Sequence, residues 1–211
     1  MTLKAKLILT SMLAMFAVGV VTTATANAVA QWQVEGKPLE TGHTKELEEV
    51  QTSEGFTLNT TIAKTKIKVT CKETSFAEGF IEGSNGGGIH SLKLSGCTVN
   101  GSLCKVEPIT FQPVALELVA QVKEAVVIKP KEKGSELLFT LAIKECAAEG
   151  SFNVTGQLKA NAPGGEEQLK SHTWEFSETS GSSVKVGKEA ATIFPWRIIW
   201  WLIFHIIWGN T

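Results

Sequence analysis

Lys66-Ile67-Lys68-Val69-Thr70-Cys71-Lys72 is the stretch on which the reading of the fold turns. In an extended chain Ile67, Val69 and Cys71 fall on one side, and the lysines and Thr70 fall on the other. That period of two is the mark of a half-buried strand. The same alternation recurs at Val114, Leu116 and Leu118, with Ala115, Glu117 and Val119 opposite. It returns at Leu137, Phe139, Leu141 and Ile143, and again at Phe152, Val154 and Leu158. His172, Trp174 and Phe176 share a face in a late strand. Before residue 190 no segment keeps helical i, i+3, i+4, i+7 spacing for three turns.

Turn chemistry separates these runs. Gly83-Ser84-Asn85-Gly86-Gly87-Gly88 reads as a loop with several residues free to take positive φ. Pro130 to Gly134 and Asn161 to Gly165 read as turns. Leu92 and Leu94 share a parity that Cys97 and Val99 lack, so one extra residue at Gly96, a bulge, is predicted. Many short strands predict an all-β fold, an antiparallel β-sandwich of immunoglobulin-like or barrel-like form.

The 211 residues carry 43% hydrophobic and 19% charged side chains, which excludes a disordered polyampholyte and a polytopic membrane protein. All 21 acidic residues are Glu, and neither Asp nor Tyr occurs. A Ser-His-Asp triad and an EF-hand loop are therefore excluded. The formal charge of −1 provides no bulk attraction to nucleic acid, and no such partner is expected. Lys4 and Lys6 precede an uncharged apolar stretch from Leu7 to Val21 and then Ala-x-Ala patterns up to Ala30. That order predicts a secretory signal peptide over residues 1–30, starting in a signal helix. Its removal takes Lys4 and Lys6 and leaves 181 residues with a formal charge of −3.

Four cysteines remain, Cys71, Cys97, Cys104 and Cys146, none in a C-x-x-C pair. In an exported chain they predict two disulfides. Asn100-Gly101 is a strong hairpin signal, which favours Cys97–Cys104 with Cys71–Cys146 over Cys71–Cys97 with Cys104–Cys146.

Several motifs come in a characteristic order. They are Trp32-x-Val34-x-Gly36, Val69-Thr70-Cys71, Gly86-Gly87-Gly88, Leu94-Ser95-Gly96-Cys97-Thr98-Val99 and Gly150-Ser151-Phe152-Asn153-Val154-Thr155-Gly156. Over residues 31–190 the chain resembles a group of small secreted β-rich proteins of soil actinobacteria of the Solirubrobacter type. The resemblance implies a compartment and a β fold but no catalytic residue. The chain departs from that group at its end, where an apolar Trp-rich tail replaces an alternating strand.

Chemistry is sparse. His43, His90, His172 and His205 form neither H-x-H nor H-E-x-x-H, so no metal site is predicted. There is no G-x-S-x-G elbow and no phosphate loop. No cofactor and no catalytic residue is assigned. Glu46, Glu48, Glu49 and Glu54 read as a solvated face, and lysines on exposed strand faces read as protection for sheet edges. The sequons at Asn59, Asn100 and Asn153 read as ordinary turn and strand residues, and Trp32 and Trp174 read as packing residues. The expectation is a secreted, non-enzymatic structural or binding module at the cell envelope, meeting an envelope protein or a carbohydrate. The alternative is an extracellular glycoside hydrolase using Glu carboxylates, which needs only two of them roughly 5 to 10 Å apart.

Residues 31–190 are read as one β domain and 191–211 as a separate tail. From Ile198 to Trp208 the tail is apolar except for His205. A spanning helix would have to hold Pro195 and Arg197, and Arg near a bilayer centre costs about 3 kcal/mol. Contact with a membrane interface through Trp196, Trp200, Trp201 and Trp208 ranks level with a non-native terminus, and the spanning helix ranks third. A strand is the odd reading, because both faces would be apolar.

Overall fold

The computed structural model describes residues 31–34, 37–47, 55–83, 85–100, 104–119, 125–146, 148–162, 169–177, 181–193 and 196–206. The predicted signal peptide, with its helix, lies outside them, as do Glu48, Glu49, Glu54, Gly101 and Trp208. Numbered along the chain, the strands begin with β1 (Gln33–Val34), β2 (Lys37–Pro38), β3 (Thr44–Leu47), β4 (Phe56–Ile62), β5 (Thr65–Cys71) and β6 (Glu73–Glu82). Next come β7 (Gly86–Ser95), β8 (Thr98–Val99), β9 (Cys104–Val106), β10 (Ile109–Thr110), β11 (Val114–Val119) and β12 (Ala125–Pro130). The last are β13 (Leu137–Lys144), β14 (Gly150–Asn161), β15 (Leu169–Phe176), β16 (Ser183–Val186), β17 (Glu189–Ile193) and β18 (Trp196–Ile206). Among the described residues there is no helix, so the all-β expectation holds.

Eight strands close into an antiparallel barrel in the order β4–β5–β8–β9–β13–β14–β16–β17. β17 returns to β4 through Thr192↔Asn59 and Ile193↔Leu58. A ring of about eight strands leaves an interior that side chains can fill. Phe56, Leu58, Val69, Val99, Leu141, Val154 and Val184 are the buried alternate positions of this ring. Phe139 packs between Phe56 and Phe111, at ring-centroid distances of 6.4 and 4.5 Å. A second antiparallel sheet runs β3–β6–β7–β11–β12–β14–β15–β18, with β10 also on β7. Among the described residues the barrel form is present, with the second sheet beside it.

β14 belongs to both parts. Its first half pairs with β13 and β16, and Leu158 to Asn161 pair with β12. Gly156 stands at the change of partners with φ +114°, and a Cβ there would lie 2.0 Å from the Ser183 carbonyl oxygen. The other passage between the two parts is a ribbon in which β5 leads into β6 and β7 leads into β8. Its register is unbroken from Val69↔Val99 and Thr70↔Thr98 through Glu73↔Ser95 to Glu82↔Gly86. No extra residue enters at Gly96, which corrects the predicted bulge. Instead both strands exchange faces together. Ile67, Val69, Cys71 and Val99 are buried on the barrel side, then Thr74, Phe76, Leu92 and Leu94 beyond the corner. Gly96, at φ +63°, takes the backbone turn that this reversal needs.

The register also decides the disulfides. Cys71 stands opposite Cys97 and bonds to it, and Cys104 bonds to Cys146. The favoured pairing Cys97–Cys104 is thereby overturned. β8 and β9 do form a hairpin, but its register sets Val99, not Cys97, across from Cys104. Cys104 meets Cys146 because β9 pairs with the end of β13, where Glu145 turns the chain at φ +60°.

Three further expectations change. Gly86, Gly87 and Gly88 are not loop but the start of β7, paired with both β6 and β11. Close approach explains them, since a Cβ on Gly87 would lie 2.6 Å from the Phe80 carbonyl oxygen. A register shift between Leu137 and Phe139 buries both Leu138 and Phe139 and leaves Leu137 half-buried. Residues 196–206 are a strand, with Ser171↔Trp201 through Phe176↔Trp196 in register on β15. The separate tail therefore joins the sheet. Arg197, awkward in a membrane span, pairs with its cross-strand neighbour Glu175 at 3.0 Å. No helix of the described residues is long and apolar enough to cross a membrane.

Peptide mapping without reductant is expected to yield Cys71–Cys97 and Cys104–Cys146. The loops they close span 26 and 42 residues, so losing either bond by paired Cys→Ser replacement should remove about 3 to 4 kcal/mol in the chain-entropy account. In urea unfolding, Gly156→Ala should lose about 3 kcal/mol or more from clash and backbone strain together. Gly134→Ala, at φ +85° with open space around it, should lose only about 1 kcal/mol.

Candidate functional site

The depressions on the described surface include two with lysine, amide and hydroxyl side chains in their linings. The larger, about 590 Å³, sits between the β12–β13 turn and strands β14 and β16. Thr155, Gly156 and Gln157 line it from β14, Lys185 from β16, and residues 131–136 from the turn. Backbone bonds hold that turn in place. The Gly156 N–H donates to the Glu136 carbonyl at 2.8 Å, and the Lys131 N–H donates to the Pro113 carbonyl at 2.9 Å.

Its charges are mixed. Lys129 is ion-paired with Glu117 across the β11–β12 register. The Lys131 Nζ lies 3.4 Å from His90 Nε2 and 5.8 Å from the Phe80 ring centroid. Glu132 and Glu136 line the same space. A shallow cleft of this kind can hold a polar ligand.

The smaller depression, about 370 Å³, lies on the outer wall of the barrel across β17, β4 and β5, with Asn100 just past the end of β8. Lys66, Lys68, Asn59, Thr61 and Thr192 line it. Asn100 forms its rim and is held there by two bonds. Its Oδ1 accepts the Lys68 N–H at 2.8 Å, and its Nδ2 donates to the Lys66 carbonyl at 3.3 Å.

The sequence-marked residues do not gather at either place. His43 is exposed, 3.6 Å from Glu40, and His90 is on the exposed face of β7. His172 stands opposite Trp200 in the β15–β18 pairing, and His205 belongs to β18. No group of three or more metal-ligating residues occurs among the described residues. Glu46 is exposed on β3. Asn153 accepts a bond from the Thr140 hydroxyl at 3.4 Å. Trp32 and Trp174 are fully buried, so neither offers a ring to a ligand. The Trp32 Nε1–H donates to the Gly86 carbonyl at 2.7 Å and ties the N-terminal segment to β7. Trp196, Trp200 and Trp201 belong to β18.

At the foot of the barrel Lys105 and Lys144 face each other across β9 and β13. Glu145 pairs with Lys105 at 2.7 Å and Glu107 pairs with Lys144. The hydrogen bond and charge of Glu107 raise the Lys144 pKa above the ordinary lysine value. A raised pKa makes the contribution complete at neutral pH, with loss only as pH climbs through the folded value. The pair is exposed and is structural.

No protein-family model, no curated protein and no solved structure matches this chain. Replacing Trp32 by Phe removes part of a fully buried ring and leaves the Gly86 carbonyl without its donor. The expected loss is about 2 to 3 kcal/mol of unfolding free energy, read by urea titration.

Proposed function

We propose that the chain is an extracellular, non-catalytic binding module working at the cell envelope. The observation that carries this reading is the bracing of a closed antiparallel barrel by two disulfides that use all four cysteines, an arrangement compatible with an oxidising compartment. The N-terminal segment with the features of a signal peptide supports the same compartment. So does the resemblance to secreted actinobacterial proteins. Open depressions lined by ammonium, amide and hydroxyl groups on a rigid frame suit recognition of a polar partner.

A second reading, glycoside hydrolysis, is favoured by Glu132 and Glu136 lining one cleft. Incubating the oxidised chain with a polysaccharide panel and chromogenic glycosides separates the two. Saturable binding without turnover, unchanged in Glu132→Gln and Glu136→Gln, is the expected result. Turnover that disappears in either variant would overturn the binding reading.

A further inference from the structure

We propose that the outer barrel wall around Lys66 and Lys68 is a binding face for an acidic polysaccharide, an inference that rests on the binding-module reading above. Lysines on strands commonly protect sheet edges from pairing with other chains. β5 pairs with β4 along its whole length and with β8 at Val69 and Thr70. At Lys66 and Lys68, beyond the end of β8, Asn100 stands in place of a strand. Its side chain accepts the Lys68 N–H and donates to the Lys66 carbonyl, so these backbone groups are already engaged and need no edge protection from the lysines.

The surroundings of these lysines are chemically uniform. None of the nine residues lining the depression is acidic, in a chain whose formal charge is negative. Neither lysine has an ion pair among the described residues, whereas Lys105, Lys129 and Lys144 on other strands each have one. Both Lys66 and Lys68 are exposed. Two residues apart on one strand, they carry their ammoniums on the same side at a repeat of about 7 Å. Exposed Lys64, in the β4–β5 turn, extends the file.

Neutral hydrogen-bonding groups flank the file on both sides. Asn59 stands opposite Lys68 and Thr61 opposite Lys66 on β4, with Thr192 beyond Asn59 on β17. Asn100, fixed by its two backbone bonds, closes the other side. A polymer with a carboxylate on successive sugars presents the matching order, charges at intervals with hydroxyls between. The wall is shallow and open along the strand, which suits a chain passing over it.

The test uses the full oxidised chain and polygalacturonate, with the methyl-esterified polymer and duplex DNA as comparators, in calorimetry at two salt concentrations. Binding to polygalacturonate should weaken tenfold or more in K66A/K68A, persist in K66R/K68R and be absent with the esterified polymer. It should also weaken as salt rises. K131A/K133A, in the larger cleft, should bind as the parent chain does. Unfolding midpoints of the variants, all at exposed positions, should match the parent.

The inference is overturned by unchanged affinity in K66A/K68A, by equal loss in K131A/K133A, or by tighter binding to DNA than to polygalacturonate. Binding to neutral glycans alone overturns the inference and leaves the module reading standing. Turnover of the polymer overturns that reading itself.

Discussion

The fold depends on one ribbon that keeps a single register while it turns over. From Val69↔Val99 to Glu82↔Gly86 the two strands never slip, yet the buried side changes at the corner between Cys71 and Glu73 and again at Glu78, where φ is +55°. Each buried Leu, Val or Phe contributes about 1.5 to 3 kcal/mol. A one-residue slip would turn the whole set outward on one side of the corner, more than any local hydrogen bond could offset. The Cys71–Cys97 bond sits at that point and locks the register where the hydrophobic pattern changes sides.

The second passage, along β14, is made without a cross-link. There Gly156 lets the strand press against the Ser183 carbonyl, closer than any side chain allows. Barrel and second sheet thus share one continuous core, with Phe139 in contact with Phe56 from β4 and with Phe111 beyond β10. The result is a frame whose outward faces are free to carry polar groups. Those faces, and the turn between β12 and β13, hold the depressions lined by lysine, amide and hydroxyl groups.

The site was less readable than the fold. The alternation of Lys66 and Lys68 with Ile67 and Val69 correctly separated an outer from an inner face. It could not say how many strands would flank β5. An open edge makes those lysines protective, and a closed one makes them a patch, and only the pairing with β4 and the Asn100 side-chain bonds distinguish the two. Asn59, Thr61 and Thr192 were equally hidden as a group, since Asn59 and Thr192, 192 − 59 = 133 positions apart, are brought together solely by barrel closure. The tail shows the opposite weakness of pattern reading. Residues 196–206 lack alternation, yet β15 offers them a paired edge and Glu175 matches Arg197.

What the sequence determined by itself was local: strand identity at β5, β11 and β13, the turns at Asn100 and Gly134, and the oxidised state of four cysteines. These follow from side-chain periodicity and backbone preference, which act over a few residues. The tertiary structure alone decided which cysteines met, how Gly86 to Gly88 came to lie inside a sheet, and which lysines became neighbours of amides and hydroxyls. Those outcomes depend on register and closure between strands distant in the chain. A register is a collective property of the buried faces, and no single segment contains it.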